Sequence, residues 1–294
     1  MAPSRGFGVL VATDGSSLGR SAVSAAAEFP WPRGARGEGV VSRGGSVSAE
    51  LPAGVAAVVD GSLARVAGDA RRRLEQRWPG LEVRLVDGPP LDAILSRARR
   101  VGAGAIVVGS RGHGALGRFL LGSVSRGVVR GARCPVLVVK GRGRAAARFV
   151  IGLDGSVGAR RAVDFVARLT PPRGGRLTLV RVVEPARLPS LGLLPAALRG
   201  IVRGEAAALH AQRLQAARKE LDAAAEKLRR AGWATRPLVR VGVPAPELLR
   251  AVKAVQADVV VVGARGVGGL ERLLLGSVAE AVLTASPVPV LVVK

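Results

Sequence analysis

Two short stretches, Gly109-Ser-Arg-Gly112 and Leu120-Leu-Gly-Ser-Val124, decide how this chain folds. The first follows the apolar run Ala105-Ile-Val-Val, and the second stands where a helical pattern begins. Both return 154 residues later, as Gly263-Ala-Arg-Gly266 and Leu274-Leu-Gly-Ser-Val278. A repeat of this length indicates two copies of one domain, because 294 residues are about twice the usual size of a single domain.

Other segments repeat in the same order. An apolar run closed by Asp14-Gly-Ser16 returns 140 residues later at Asp154-Gly-Ser156, and Pro135-Val-Leu-Val-Val-Lys140 returns as Pro289-Val-Leu-Val-Val-Lys294. The two copies therefore fill the chain. We predict one domain over residues 1–140 and a second over 148–294, joined by a short linker at residues 141–147.

Within each copy, short β-branched runs alternate with helical stretches rich in Ala and Arg, which is typical of βαβ units and a parallel sheet. The sequence thus predicts an α/β fold of two tandem doubly wound domains, each with a five-stranded parallel sheet. The most regular helix is expected over residues 205–231, with Leu209, Leu214, Leu221 and Leu228 on its packing face. In the second copy we expect strands at Phe149–Asp154, Leu177–Val183, Leu238–Val241, Asp258–Gly263 and Val288–Val293.

Composition narrows the classes of function. The formal charge is +24, and 40 of the 45 basic residues are Arg, but they are dispersed and aromatic residues make up only 3% of the chain. A single-strand nucleic-acid binder usually has stacking aromatics, so nucleic-acid binding is expected to be nonspecific at most.

Cys134 is the only cysteine, which excludes a disulfide framework. The chain has no apolar run of the ~18 residues that a membrane span needs, and residues 1–14 match a secretory signal poorly. We expect a soluble, cytoplasmic protein with no membrane partner.

The repeated glycine spacing suits an anion. Glycine lets backbone amides approach a phosphate closely, and the serine at the start of the next helix stands where the helix dipole favours negative charge. Arg111, Arg118, Arg265 and Arg272 could add charge-assisted hydrogen bonds. A single copy of the motif could be a structural turn with a helix cap, and Asp-Gly-Ser alone is a common turn and cap. The shared spacing in both copies favours a phosphate site.

With the Asp-Gly-Ser strand end upstream, this spacing resembles the ATP-binding branch of the universal stress protein family, over nearly the whole chain. The resemblance implies an adenine-nucleotide-hydrolase-like, Rossmann-like fold that holds ATP, often with a divalent cation such as Mg²⁺ or Mn²⁺. It also implies that the two copies pair through their last strands as an internal pseudo-dimer, with a homodimer of whole chains left open.

The resemblance implies roles for individual residues. Asp14 and Asp154 would lie by the adenosine, and Gly109 and Gly263 near the ribose. Val182 would contact adenine; in the first copy the matching strand is short and glycine-rich, and Val40 is taken as its counterpart. The phosphates would be lined by Gly112, Gly122, Ser123 and Val124, and by Gly266, Gly276, Ser277 and Val278.

We therefore expect an ATP-dependent regulatory or sensor protein of the stress response, because no catalytic group stands out. A slow ATPase or self-phosphorylating enzyme is the alternative, and an arginine-driven nucleic-acid binder is a third. The first copy is 14 residues shorter between Asp14 and Gly109 than the second is between Asp154 and Gly263. The loss is expected in the second strand and the connection after it, which predicts tighter binding by the second copy.

Overall fold

The computed structural model describes residues 6–44, 52–112, 121–141, 145–185, 196–266 and 275–294. Strands and helices alternate through the first half, residues 1–140. Its elements are β1 (Gly8–Ala12), α1 (Ser17–Glu28), β2 (Arg36–Ser42), α2 (Ala53–Glu75), β3 (Val83–Val86), α3 (Pro90–Val101), β4 (Ala105–Gly109), α4 (Ser123–Gly131) and β5 (Val136–Val139).

The second half, residues 148–294, repeats this order. Its elements are β6 (Arg148–Leu153), α5 (Val157–Arg168), β7 (Arg176–Val183), α6 (Ala196–Arg230), β8 (Ala234–Val241), α7 (Pro244–Ala254), β9 (Val259–Gly263), α8 (Ser277–Ala285) and β10 (Val290–Val293). The α/β fold in two tandem copies is confirmed.

The two halves share one ten-stranded sheet, in the order β3-β2-β1-β4-β5-β10-β9-β6-β7-β8. Strands within each half are parallel, whereas β5 and β10 pair antiparallel, with Leu137 opposite Leu291. The expected contact between the two last strands is therefore present. It merges the two five-stranded sets into a continuous sheet and gives each last strand a partner on its outer edge.

Helices cover both faces of the sheet, which explains the nearly continuous apolar runs of its strands. Alternate residues of β1 point to opposite faces, so that Val9 and Val11 pack with α1 and α2, while Leu10 packs with α3 and α4. The second half is arranged in the same way. Each of the two core clusters runs through both halves, so the halves are joined through buried apolar contacts as well as through the sheet.

The scarce aromatic residues concentrate where the halves meet. Phe29 of the first half contacts Phe149 of the second edge to face, with 5.9 Å between ring centroids. Such pairs add about 0.5–1.5 kcal/mol beyond their buried area. Six of the eight Phe and Trp residues form this cluster: Phe7, Phe29, Trp31, Phe149, Phe165 and Trp233.

Two second-half elements begin four or more residues before their expected start, whereas the other strands differ by one or two residues. Strand β8 begins at Ala234, four residues before the expected start, and it includes Pro237. Proline is tolerated there because β8 is an edge strand of the sheet. Helix α6 begins at Ala196, and although Leu221 and Leu228 are buried, Leu209 is 44% exposed. The expected packing face is therefore correct only for the C-terminal part of the helix.

Strand β2, which the sequence predicted to be short and glycine-rich, is fully formed. Strand β2 pairs in register with β1, Val40 opposite Ala12, just as Val180 pairs with Gly152 in the second half. The counterpart of Val182 is therefore Ser42, and its assignment to Val40 was wrong. Most of the length difference lies beyond the strand, because the counterpart of Ala53 is Ala207 and α6 begins 11 residues before it.

Candidate functional site

The candidate site lies where the strand order reverses. Strands β6 and β9 are neighbours whose following connections run to opposite faces of the sheet, and a crevice opens beyond their carboxyl ends. Ligands of doubly wound folds bind at this position. Strands β1 and β4 form the equivalent place in the first half.

The Asp-Gly-Ser segment forms a turn and a helix cap in both halves. The backbone N–H of Ser156 donates to Asp154 Oδ1 at 3.0 Å, and Ser156 Oγ accepts from the N–H of Ala159 at 3.0 Å to cap α5. Asp14 and Ser16 make the same contacts at α1. The local role of the motif is thus structural, while the second carboxylate oxygen of each aspartate is directed at the glycine-rich loop.

The carboxylate oxygen can point towards the loop because a glycine lies three residues after the end of β9 and of β4. A Cβ added to Gly266 would lie 2.5 Å from Asp154 Oδ2, and one added to Gly112 would lie 2.4 Å from Asp14 Oδ2. No side chain fits there without displacing the carboxylate. In each half, an aspartate after the first strand therefore lies against a glycine after the fourth strand.

The next helix starts without a side-chain cap. Gly276 is the N-cap residue of α8, and its N–H donates to the carbonyl of Ala264 at 2.8 Å. Ser277 is the first helical residue and is exposed. It therefore does not cap the helix, although the sequence had left a helix cap open as an alternative role of the motif. Gly122 and Ser123 are arranged identically at α4. A helix N-terminus with amides and hydroxyl free of a capping side chain is suited to an anion.

In the second half these parts surround a cavity of about 760 Å³. The volume falls within the ~300–1,000 Å³ of small-molecule sites. All the residues predicted for this half line it: Asp154, Val182, Gly263, Gly266, Gly276, Ser277 and Val278.

Two of the predicted glycines have a packing role. A Cβ on Gly263 would lie 2.5 Å from the carbonyl carbon of Gly158, and one on Gly109 would lie 2.8 Å from that of Leu18. The first turns of α5 and α1 thus press on the strand ends, and only glycine leaves room for them. Of the predicted phosphate arginines, Arg265 lines the cavity, while Arg118 and Arg272 lie outside the described residues.

Four charged residues on the cavity wall were not indicated by the sequence: Arg181 of β7, Glu184 directly after it, and Arg213 and Glu220 of α6. The first-half residues at these places are Val41, Gly44, Val59 and Val66. The sequence offered only an indirect signal, because the 154-residue offset aligns Glu220 with Val66 but no motif marks either residue. The two halves therefore share the geometry of the described residues that flank the glycine-rich loop, and they differ in the opposite wall.

Each half ends in a lysine that reaches the other half. Lys140 Nζ donates to the carbonyl oxygens of Thr284 at 3.1 Å and Ser286 at 3.0 Å, at the C-terminal end of α8. Lys294 Nζ donates to the carbonyl of Val129, at the equivalent end of α4. Burial, and to a smaller extent the positive charge of Arg111, lowers the pKa of Lys140 to about 8. The phosphate-loop helices are thus held at their far ends by the partner half.

The described residues contain neither a cluster of three or more His, Cys, Asp or Glu side chains that could hold a metal, nor a helix both long and apolar enough for a bilayer crossing. Cys134 is half-buried, and burial raises the pKa of its thiol to about 11. An unreactive thiol is expected from this environment.

Comparisons with known proteins agree with the geometry. The sequence model of the Universal stress protein family matches residues 8–140 and 146–294. A universal stress protein of Mycobacterium tuberculosis is 37% identical over 204 residues, which cover 64% of this chain and 61% of that protein. The match thus spans less than two thirds of the relative's length.

Solved structures show the same fold over the whole chain. A universal stress protein from Archaeoglobus fulgidus superposes with a TM-score of 0.67 at 20% identity, covering 98% of this chain and 96% of that one. A universal stress protein solved in complex with cAMP is 27% identical over 46% of this chain, with a TM-score of 0.38. Because both halves match the family model, this chain belongs to the universal stress protein family as a tandem two-domain member.

Proposed function

We propose that this protein binds ATP, with its principal site in the second-half cavity, and acts as a nucleotide-dependent regulatory or sensor protein in the cytoplasm. One observation carries the proposal. The cavity combines an uncapped helix N-terminus at Gly276, a loop glycine beside Asp154, and Arg265 on its wall. Backbone amides, a hydroxyl and an arginine that border one cavity suit phosphate groups.

The rest of the cavity fits a nucleoside. Val182 and Leu248 contribute apolar surface for a base, and Asp154 is the carboxylate nearest the loop. Mg²⁺ or Mn²⁺ enters this proposal only as the counter-ion of the ATP phosphates. The first half repeats the contacts that flank the loop, at Asp14, Gly112 and Gly122, so a second and weaker site there is part of the proposal.

The proposed function does not include rapid hydrolysis of ATP. Of the three carboxylates that line the cavity, Asp154 accepts the N–H of Ser156 and Glu220 pairs with Arg181 at 3.2 Å. The third, Glu184, is exposed and follows β7 rather than β9 and the glycine-rich loop. A base that activates water must instead lie within hydrogen-bond reach of that water. The arrangement supports binding and release of the nucleotide rather than turnover.

Calorimetric titration of ATP with Mg²⁺ into the purified protein tests the proposal, alongside a multiple-turnover assay of phosphate release. We expect saturable binding and at most slow release of phosphate. Sustained turnover that Ser277→Glu abolishes would establish an enzyme instead, and the absence of binding would refute the proposed function.

A further inference from the structure

The wall of the second-half cavity opposite the loop carries an ion pair. Arg181 Nε lies 3.2 Å from Glu220 Oε2, and both side chains are largely buried, at 26% and 29% exposure. Arg181 also donates to the carbonyl of Leu153 at 3.4 Å. Glu220 is fixed close to the Asp-Gly-Ser turn, because its Oε2 would lie 3.5 Å from a Cβ on Gly155. The pair is thus held by β6, β7 and α6.

The first half shows that the fold does not need this pair. Its counterparts are Val41, which is fully buried, and Val66, whose Cγ2 would lie 2.5 Å from a Cβ on Gly15. In the first half, these two valines fill the space that the charged pair occupies in the second half. A partly buried ion pair contributes little net stability, and apolar residues of similar volume are often as good. Stability therefore does not account for the pair.

Its chemistry suits the part of a ligand beyond the phosphates. The guanidinium offers N–H donors and the carboxylate offers acceptors, so together they match a group that has acceptors and donors close to each other. Base edges and ribose hydroxyls have this property, whereas a phosphate chain offers acceptors only. The phosphate-binding groups Gly266, Gly276 and Ser277 belong to β9, its loop and α8, which border the cavity from another side.

We infer that Arg181 and Glu220 are specificity-determining residues that recognise the nucleoside part of the ligand in the second half. The inference rests on the proposed function. It assigns to the second half a polar contact with the nucleoside that the first half, with Val41 and Val66, cannot make.

The test compares binding of ATP with binding of inorganic tripolyphosphate. All proteins carry Ser123→Glu, which places a carboxylate at the exposed first residue of α4 and closes the first-half site. The test variant replaces Arg181→Val and Glu220→Val together, so that neither charge is left alone. The control replaces Asp164→Val and Lys227→Val, which removes a 2.6 Å ion pair that joins α6 to α5 outside the cavity.

We expect the test variant to bind ATP about tenfold more weakly, as the loss of a charge-assisted hydrogen bond would give, and to bind tripolyphosphate as before. The control should bind both as the parent does. Equal weakening for ATP and tripolyphosphate would show a structural role and overturn the inference, as would unchanged ATP binding. If the parent binds no ATP, the proposed function fails, and the inference fails with it.

Discussion

Arg126 of the first half and Glu280 of the second face each other across the junction, with 3.6 Å between Nε and Oε1. The two residues are 154 positions apart and so occupy equivalent places in the repeat. Arg130 lies 3.6 Å from the other oxygen of Glu280. Two copies of the same half would bring like charges together here, so this contact favours pairing of unlike halves.

A double-mutant cycle tests this contact. Glu280→Arg should lower the free energy of unfolding by about 1 kcal/mol, because it places three cations together on a partly exposed surface. Adding Arg126→Glu should restore most of the loss, since the charges are then exchanged. Urea unfolding of the four proteins gives the coupling energy; simple additivity of the two substitutions would mean that the contact is energetically silent.

Lys140 should make stability depend on pH. Its pKa is about 8 in the folded protein, against an ordinary value of 10.5, mainly because burial disfavours the charged form. Below pH 8 both states are protonated and the cost of the buried charge is fully present. As the pH rises from 8 towards 10.5 the unfolded state binds more protons, so stability increases.

Thermal unfolding at pH 8 to 9 measures this effect most cleanly. Above pH 9 the raised pKa of Cys134, at about 11 in the folded protein, contributes the opposite slope. Lys140→Met should reduce the rise in melting temperature across this interval. Lys294, whose pKa is also lowered by burial, should preserve part of the rise in melting temperature. An identical slope in the variant would show that Lys140 does not titrate in this range.

Two glycine-to-alanine substitutions should change stability in opposite directions. A Cβ on Gly37 of β2 would lie 2.2 Å from the ring of Trp78, so Gly37→Ala should destabilise the protein by about 1–3 kcal/mol. Gly61 lies within α2 with open space around it, and Gly61→Ala should stabilise by about 0.5–1 kcal/mol. Denaturant unfolding measures both. A neutral Gly37→Ala would mean that the glycines of β2 are not required for packing.

The sequence predicted the repeat and the parallel strands correctly because each depends on short local patterns. It mispredicted β2, since the glycines that suggested a weak strand are explained only by Trp78 and Val83, whose side chains occupy the space beside Gly37 and Gly39. Contacts between residues 40 positions apart leave no local signature.

Long-range contacts without a local sequence pattern also limited the prediction of the second-half cavity. Asp154 and Gly266 could be recognised by motif, but Arg181 and Glu220 belong to a strand and a helix without one. Their place on the cavity wall depends on the register of β7 and on where α6 meets it. The counterpart of Val182 was misassigned for the same reason, because register decides between Val40 and Ser42.

The two halves should bind ATP unequally. Ser123→Glu leaves only the second-half site and Ser277→Glu only the first, and both positions are exposed, so neither substitution should disturb the fold. Acidic residues are also favourable in the first turn of a helix. We expect tighter binding in Ser123→Glu, because the second half has the polar wall that the first lacks. Equal dissociation constants in the two variants would refute this asymmetry.

The most direct test of ATP binding in the second half is the nucleotide that the purified protein carries. The protein is denatured, and the released small molecules are separated and identified by mass spectrometry, for the unsubstituted chain, Ser123→Glu and Ser277→Glu. The account predicts ATP in the unsubstituted chain, largely retained in Ser123→Glu and lost in Ser277→Glu. Undiminished ATP in Ser277→Glu, or no adenine nucleotide in any of the three even after incubation with ATP, would contradict it.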